Sequence, residues 1–294
     1  MQTPPSLHTL KQHLMLRTRL RRILRARAIA RPLEALRLAM LPADGQMRFF
    51  VVSCERNAGE AALNCLDSVY NQRYNREQVD YLFIDDASTD NTRQLVEGWL
   101  RAHPDHNVEF VPHAERRGGT ANTIDSFRAA PPGTVVVELN GDDWLPDPAV
   151  LCVLDKLYRD PNVWMTYNTH RFADGRISGN CFRIPEKVLR ENTVREHVFF
   201  MARALRTFRR ELFEHVKEES LIDPQTGEYW SSVDDQAIFL SMLELAGFHA
   251  RHISRVMYVY NHHGESDDKK DEEGTRDRER RIRALPKYAP LESL

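Results

Sequence analysis

The chain is short of cysteine, of long apolar runs and of any large excess of one charge, and each shortage closes off a class of function. Its four cysteines, Cys54, Cys65, Cys152 and Cys181, form no CxxC pair and have no histidine at zinc-site spacing. They are expected to be reduced thiols in a cytoplasmic protein. No apolar stretch approaches the roughly 20 residues that cross a bilayer. The first residues show neither the apolar core nor the small-residue cleavage site of a secretory leader. A formal net charge of −2 across 294 residues argues against general nucleic-acid binding by the main body. Two glycine signatures are missing as well. Without GxGxxG after the first strand, or GxxxxGK(S/T) anywhere, neither a dinucleotide fold nor a P-loop is supported.

The near-neutral average hides an asymmetry. Residues 1–40 carry nine basic side chains against the single acid Glu34. Leucines and isoleucines recur among these arginines over 8–41, which predicts a basic amphipathic helical extension over 1–46, suited to an anionic membrane surface or a partner chain. Pro32 argues against one straight helix. From residue 47 the pattern becomes strand–helix alternation. Strands are expected at 47–53, 79–85, 107–112 and 134–140, with helices between them. Such a run implies an α/β fold with a mostly parallel sheet flanked by helices. The second half reads as a helix near 148–159, a strand at 162–170, helices around 209–217 and 234–247, and one or two short strands in 250–261. Residues 267–294 read as a charged tail.

Two strands end in paired carboxylates. "FIDDASTDNT" (83–92) delivers Asp85 and Asp86; "ELNGDDWLPD" (138–147) delivers Asn140, Asp142 and Asp143 about fifty residues later. Adjacent aspartates repel, and burying one unpaired is costly, so a positive partner is expected at the second tip. In parallel sheets ligands bind beyond the carboxyl ends of strands, which is where both pairs fall. An aspartyl phosphatase would need a second acid where Ala87 stands. A sugar-phosphate nucleotidyltransferase would need a glycine-rich basic loop after the first strand, and "SCERNAGEA" is not one.

Together the two motifs resemble glycosyltransferase family 2, over residues 47–266. "IDDASTDNT" matches that family's V-D-D-G-S-T-D-x-T, and "NGDDWLPD" its D-x-D-D-x-x-x-P region, with Asn140 in place of the first Asp. The resemblance implies a GT-A (Rossmann-like) fold, with 47–147 as the nucleotide-binding half and 148–266 as the acceptor half. It implies an inverting transfer from a nucleoside-diphosphate sugar, a UDP-sugar first, to a hydroxyl of a glycan or glycolipid, as in synthesis of surface polysaccharide or lipopolysaccharide-type glycans. It implies Mn²⁺ or Mg²⁺ as cofactor and a location in the cytoplasm, peripheral on the membrane. By the same match Asp143 and His263 (in "YVYNHHGES") hold the metal, and Asp142 faces the ribose or a metal-bound water. Asp86 accepts from the base, and Cys54, Arg56, Arg117, Asn122 and Asn140 contribute to the nucleotide-sugar site. Asp235, second acid in "SVDDQAIFLSMLELAGF", is the catalytic base, with Asp234 as its neighbour. In "ALRTFRRELF" (204–213), Arg206 and Arg209 are placed to meet anionic groups on the acceptor side, or else to lie on a solvated helix face. The rival reading is a non-catalytic membrane-docked module.

Overall fold

The computed structural model describes residues 45–178, 181–197, 200, 202–261 and 271–294. The helical extension expected at 1–46 lies almost entirely outside the described residues, and so do His262 and His263. The chain from Phe49 alternates β1 (Phe49–Glu55), α1 (Ala61–Tyr70), β2 (Val79–Asp85), α2 (Thr92–Ala102), β3 (Val108–Pro112), α3 (Gly119–Ala129) and β4 (Val135–Glu138). It continues through α4 (Val150–Tyr158), β5 (Met165–Phe172), α5 (Glu186–Arg190), β6 (Arg206–Arg209), α6 (Arg210–Glu214), α7 (Glu218–Leu221), α8 (Asp234–Ala246), β7 (Ala250–Tyr260) and α9 (Glu272–Arg283).

The strands form one sheet in the order β3-β2-β1-β4-β6-β5-β7. Pairing is parallel except at β6, which runs antiparallel to both β4 and β5. Val135, Val136 and Val137 are fully buried, as a strand covered on both faces requires. Strand order reverses between β1 and β4, the kind of crevice in which open α/β sheets bind ligands. Phe127 of α3 packs edge-on against Phe208 of β6 at 4.9 Å and Phe213 of α6 at 5.3 Å, tying the two halves of the sheet to one aromatic core.

Two second-half elements differ from the sequence reading. The helix expected around 209–217 is the short α6 over 210–214, and it is preceded by strand β6, which the sequence pattern does not predict. The cause is packing: Thr207 meets Thr166 at 2.6 Å and Tyr158 at 2.9 Å inside the sheet, a fit that Arg-Thr-Phe-Arg does not advertise. The run 250–260 is one continuous strand, accommodated by register shifts around Thr169.

Helix α8 is buried on every side from Gln236 to Ala246. One wall beside it comes from the charged run after residue 266. Ile282 of α9 is fully buried, and Arg195 donates to Glu244 of α8 at 2.8 Å and to the Ile282 carbonyl at 2.7 Å. Both members of that ion pair are almost completely enclosed. Removing one partner of a buried pair strands the other charge. Arg195→Met is therefore expected to cost about 3–5 kcal/mol in urea unfolding, and a further Glu244→Leu change to restore much of it.

Candidate active site

The first wall of the site is built where β1 and β2 end. Asp85 is the inward member of its pair: it accepts from Ser88 N at 3.2 Å and from the Ser88 hydroxyl, shaping the loop after β2. Asn57, at a left-handed φ of 61°, accepts from Thr89 N at 2.8 Å and so zips the β1 loop to the β2 loop. Asp86 is 4% exposed and accepts from the backbone N–H groups of Arg117 (2.7 Å) and Gly118 (2.9 Å). Burial pushes its carboxyl upward, but the Arg117 N–H, the Asn122 side chain beside it and the Gly118 N–H outweigh this and hold it below the usual range. The buried amide of Asn122 sits beside Asp86 but outside hydrogen-bond geometry, so both its polar atoms lack a partner. Arg56 Nε is likewise buried without one. Orphaned buried donors and acceptors of this kind are what a polar ligand would satisfy.

Two residues of this wall have partners that the motif match does not foresee. The Arg117 guanidinium turns away to Asp125 at 2.6 Å, so what this residue brings to Asp86 is its backbone N–H. Cys54 is partly buried, its sulfur 3.5 Å from the Ser126 hydroxyl. Burial pushes its thiol up to about 12 against the opposing Ser126 hydrogen bond, and at neutral pH it stays a neutral thiol.

The second wall is the β4 loop. Asp143 is fully buried. Its Oδ1 accepts from Asn261 N at 2.6 Å; its Oδ2 accepts from the Tyr258 hydroxyl and, at 3.3 Å, from Asn140 Nδ2. These contacts staple the end of β7 to the end of β4. A carboxylate offers about four acceptor positions, and three are taken here. Asp142 is half-buried and lies against Glu55 from the tip of β1. Burial, and then the Asp142 charge, hold the Glu55 carboxyl well above its usual range. Burial also raises Asp142, and burial and the Asp142 charge raise Asp143. Glu55 escaped sequence reasoning because it occupies a variable place in its motif; its signal would have been a third acid at a parallel strand end.

Among the described residues no three His, Cys, Asp or Glu side chains form a finished metal cage. Asp142 and Asp143 nonetheless offer oxygen donors of the kind a divalent cation takes. The donor set is all oxygen, and Mg²⁺ is commonly held by one or two carboxylates plus substrate phosphates. His263, the expected second ligand, lies outside the described residues.

The third wall is the start of α8. Asp235 keeps about a third of its side chain exposed and accepts from Arg206 Nη1 at 3.1 Å. Two acids in a first helical turn are favoured by the helix dipole. The residue before them, Val233, is held at φ 52°, an outlier for a β-branched side chain. Strained backbone of this kind costs of order 1–3 kcal/mol and gathers at functional sites. Arg206 is buried, and Arg209 donates to the carbonyls of Val163 (2.8 Å) and Tyr158 (2.7 Å). Arg206 stands at the site end of β6, whereas Arg209, opposite Val135 at the other end, braces backbone carbonyls away from it.

Asp86, Asp142 and Asp235 thus come from β2, β4 and α8 to one edge of the sheet, with Glu138 and Arg206 bridging the last two elements. A sequence model of glycosyl transferase family 2 matches residues 50–217, more than half of the chain. The chain belongs to glycosyl transferase family 2. Among solved structures it is similar to TarS 1-349 of S. aureus in complex with UDP-GlcNAc, with 18% identity, TM-score 0.59, and coverage of 75% of this chain and 60% of that one. It is also similar to the mannosyltransferase PcManGT of Pyrobaculum calidifontis in complex with GDP-Man and Mn²⁺, with 24% identity, TM-score 0.51, and coverage of 79% and 64%. The chain therefore spans less than two thirds of either relative, and these likenesses establish the GT-A fold. No curated protein matches the chain.

Proposed function

We propose that this family member transfers a sugar from a nucleoside-diphosphate sugar to a hydroxyl group of a glycan or glycolipid, with inversion at the anomeric carbon. The observation that carries the reading is the convergence of a base-side carboxylate (Asp86), a diphosphate-side carboxylate cluster (Glu55, Asp142, Asp143) and a partly exposed carboxylate (Asp235) on one sheet edge. The complexes of the two relatives, with UDP-GlcNAc and with GDP-Man and Mn²⁺, support a nucleotide-sugar donor.

In this reading Asp86 and the Asn122 amide meet the nucleoside, and the Arg56 Nε–H reaches the donor's polar groups. Asp142 and Asp143 hold Mn²⁺ or Mg²⁺. Asp142 is the direct ligand because its oxygens are the accessible ones, while Asp143, with three of its acceptor positions filled, fixes the loop. This reverses the roles that the motif match gives the two residues. The cation, when bound, neutralises charge on the leaving diphosphate. Asp235 accepts the proton of the acceptor hydroxyl as that oxygen attacks the anomeric carbon and the bond to the diphosphate breaks. A single displacement needs one base on the acceptor side; of the two acids that open α8, Asp235 is the one that Arg206 reaches, which supports giving it that role. No described helix is long and apolar enough to cross a membrane.

A thermal-shift series of nucleoside diphosphates and their sugars, each with Mn²⁺ or EDTA, tests the reading. A cognate ligand at 100 times its Kd should stabilise the protein by about 2.7 kcal/mol, and only with the metal. Absence of any shift across the uridine, guanosine, thymidine and adenosine series would leave a GT-A scaffold without a donor site.

A further inference from the structure

Asp235 is reached by a guanidinium that is itself fixed from three sides. Arg206 donates Nη1 to Asp235 at 3.1 Å, Nη2 to Glu138 Oε1 at 2.9 Å, and Nε to Glu138 Oε2. Its guanidinium carbon lies 4.3 Å from the centre of the Phe239 ring. Phe239 follows Asp235 by one helical turn, so ring and carboxylate share a face of α8, and the guanidinium lies along both. Glu138 stands directly opposite Arg206 in the β4–β6 register. Two strands and a helix therefore set its position, and a fork that grips one carboxylate with two bonds has little freedom left toward the other.

Packing alone does not explain this arrangement. Arg206 is 7% exposed, and burial opposes its charge; the Glu138 and Asp235 carboxylates outweigh that and keep it protonated. Buried ion pairs rarely gain net stability over apolar replacements, so a two-member pair would be an expensive way to fill space. What the third contact adds is a charge-assisted grip on a carboxylate that otherwise faces solvent at the rim of the site.

We propose that Arg206, braced by Glu138, is the positioning residue that aims Asp235 at the acceptor hydroxyl. The inference rests on the reading of Asp235 as the base. Oδ2 is occupied by the guanidinium, which leaves Oδ1 to take the proton. The charged groups around the carboxylate are Arg206 of β6, Glu138 of β4 and Asp234 on its own helix. α9 reaches this region through Arg278 to Ser232 and Glu279 to Gln236.

The test is steady-state kinetics with donor Kd measured on the same preparations. Misplacing a catalytic group by about 1 Å can cost on the order of 100-fold. Arg206→Gln should lower kcat about 10- to 100-fold and leave donor Kd within about twofold, with Arg206→Lys recovering part of the loss. Because Arg206→Gln strands Glu138, the double variant Glu138→Gln, Arg206→Met serves as the folding control: it removes both buried charges and should keep the kcat defect while regaining thermal stability. In an Asp235→Asn background neither change should lower kcat further. If Asp235→Asn is inactive while Arg206→Gln and the double variant turn over at the wild-type rate, the positioning role is wrong and the base assignment survives. If Asp235→Asn itself turns over normally, the base assignment is what falls.

Discussion

Asp235→Asn should keep its donor and lose its turnover. Removing a general base typically costs 10²–10⁴-fold in rate, about 3–5 kcal/mol of transition-state stabilisation. The amide retains an oxygen that can accept from Arg206, so the brace from Glu138 through Arg206 to α8 should survive, and with it the fold. The nucleotide wall is built by other elements and should not sense the change. kcat is therefore expected to collapse while donor Kd stays near wild type, a pattern that marks an interaction made in the transition state alone. Asp234→Asn should cost less. The two acids are adjacent on α8, and the guanidinium reaches the second of them. An inactive Asp234→Asn beside a normal Asp235→Asn would show that the motif register is off by one.

The sheet was readable where local pattern and burial agree. The valines of β4 and the Tyr81–Ile84 run of β2 are apolar and buried, and both strands fall where that pattern puts them. β6 was not readable. Two of its four residues are arginines, whose burial is allowed only by partners distant in sequence, Glu138 for Arg206 and backbone carbonyls for Arg209. α9 was equally opaque. Most of its charges are solvated, and the few contacts that anchor it, Ile282 against the core and Arg281 over the Trp230 ring at 5.2 Å, carry no periodic signature. The candidate site divides the same way. Acids at strand ends and at a helix start advertise themselves by motif, so Asp86, Asp142, Asp143 and Asp235 could be picked out as candidates. Glu55 and Glu138 were not, because their meaning comes from the cross-sheet neighbours Asp142 and Arg206.

Asp142→Asn is expected to have two opposite effects. Glu55, Asp142 and Asp143 are crowded at one strand end, and burial together with mutual repulsion destabilises their charged forms. Such a cluster is a cost to the empty protein and an asset once a cation is bound. Deleting the central charge should raise Tm in EDTA and abolish the further rise that Mn²⁺ and a nucleoside diphosphate give the wild type. The loss in Mn²⁺-dependent nucleotide affinity should be about 100-fold, about 2.7 kcal/mol. Asp143→Asn should behave differently. Its carboxylate accepts from both Tyr258 and Asn261, and an amide in its place must turn its NH₂ toward one of those donors. A buried donor left unsatisfied costs about 1–3 kcal/mol, so this variant should be destabilised in EDTA as well as impaired with the metal. Thermal melts of both variants in EDTA and in Mn²⁺ with nucleotide decide the assignment. If Asp142→Asn keeps the full Mn²⁺-dependent shift and only Asp143→Asn loses it, the buried residue is the ligand, and the motif match ordered the pair correctly.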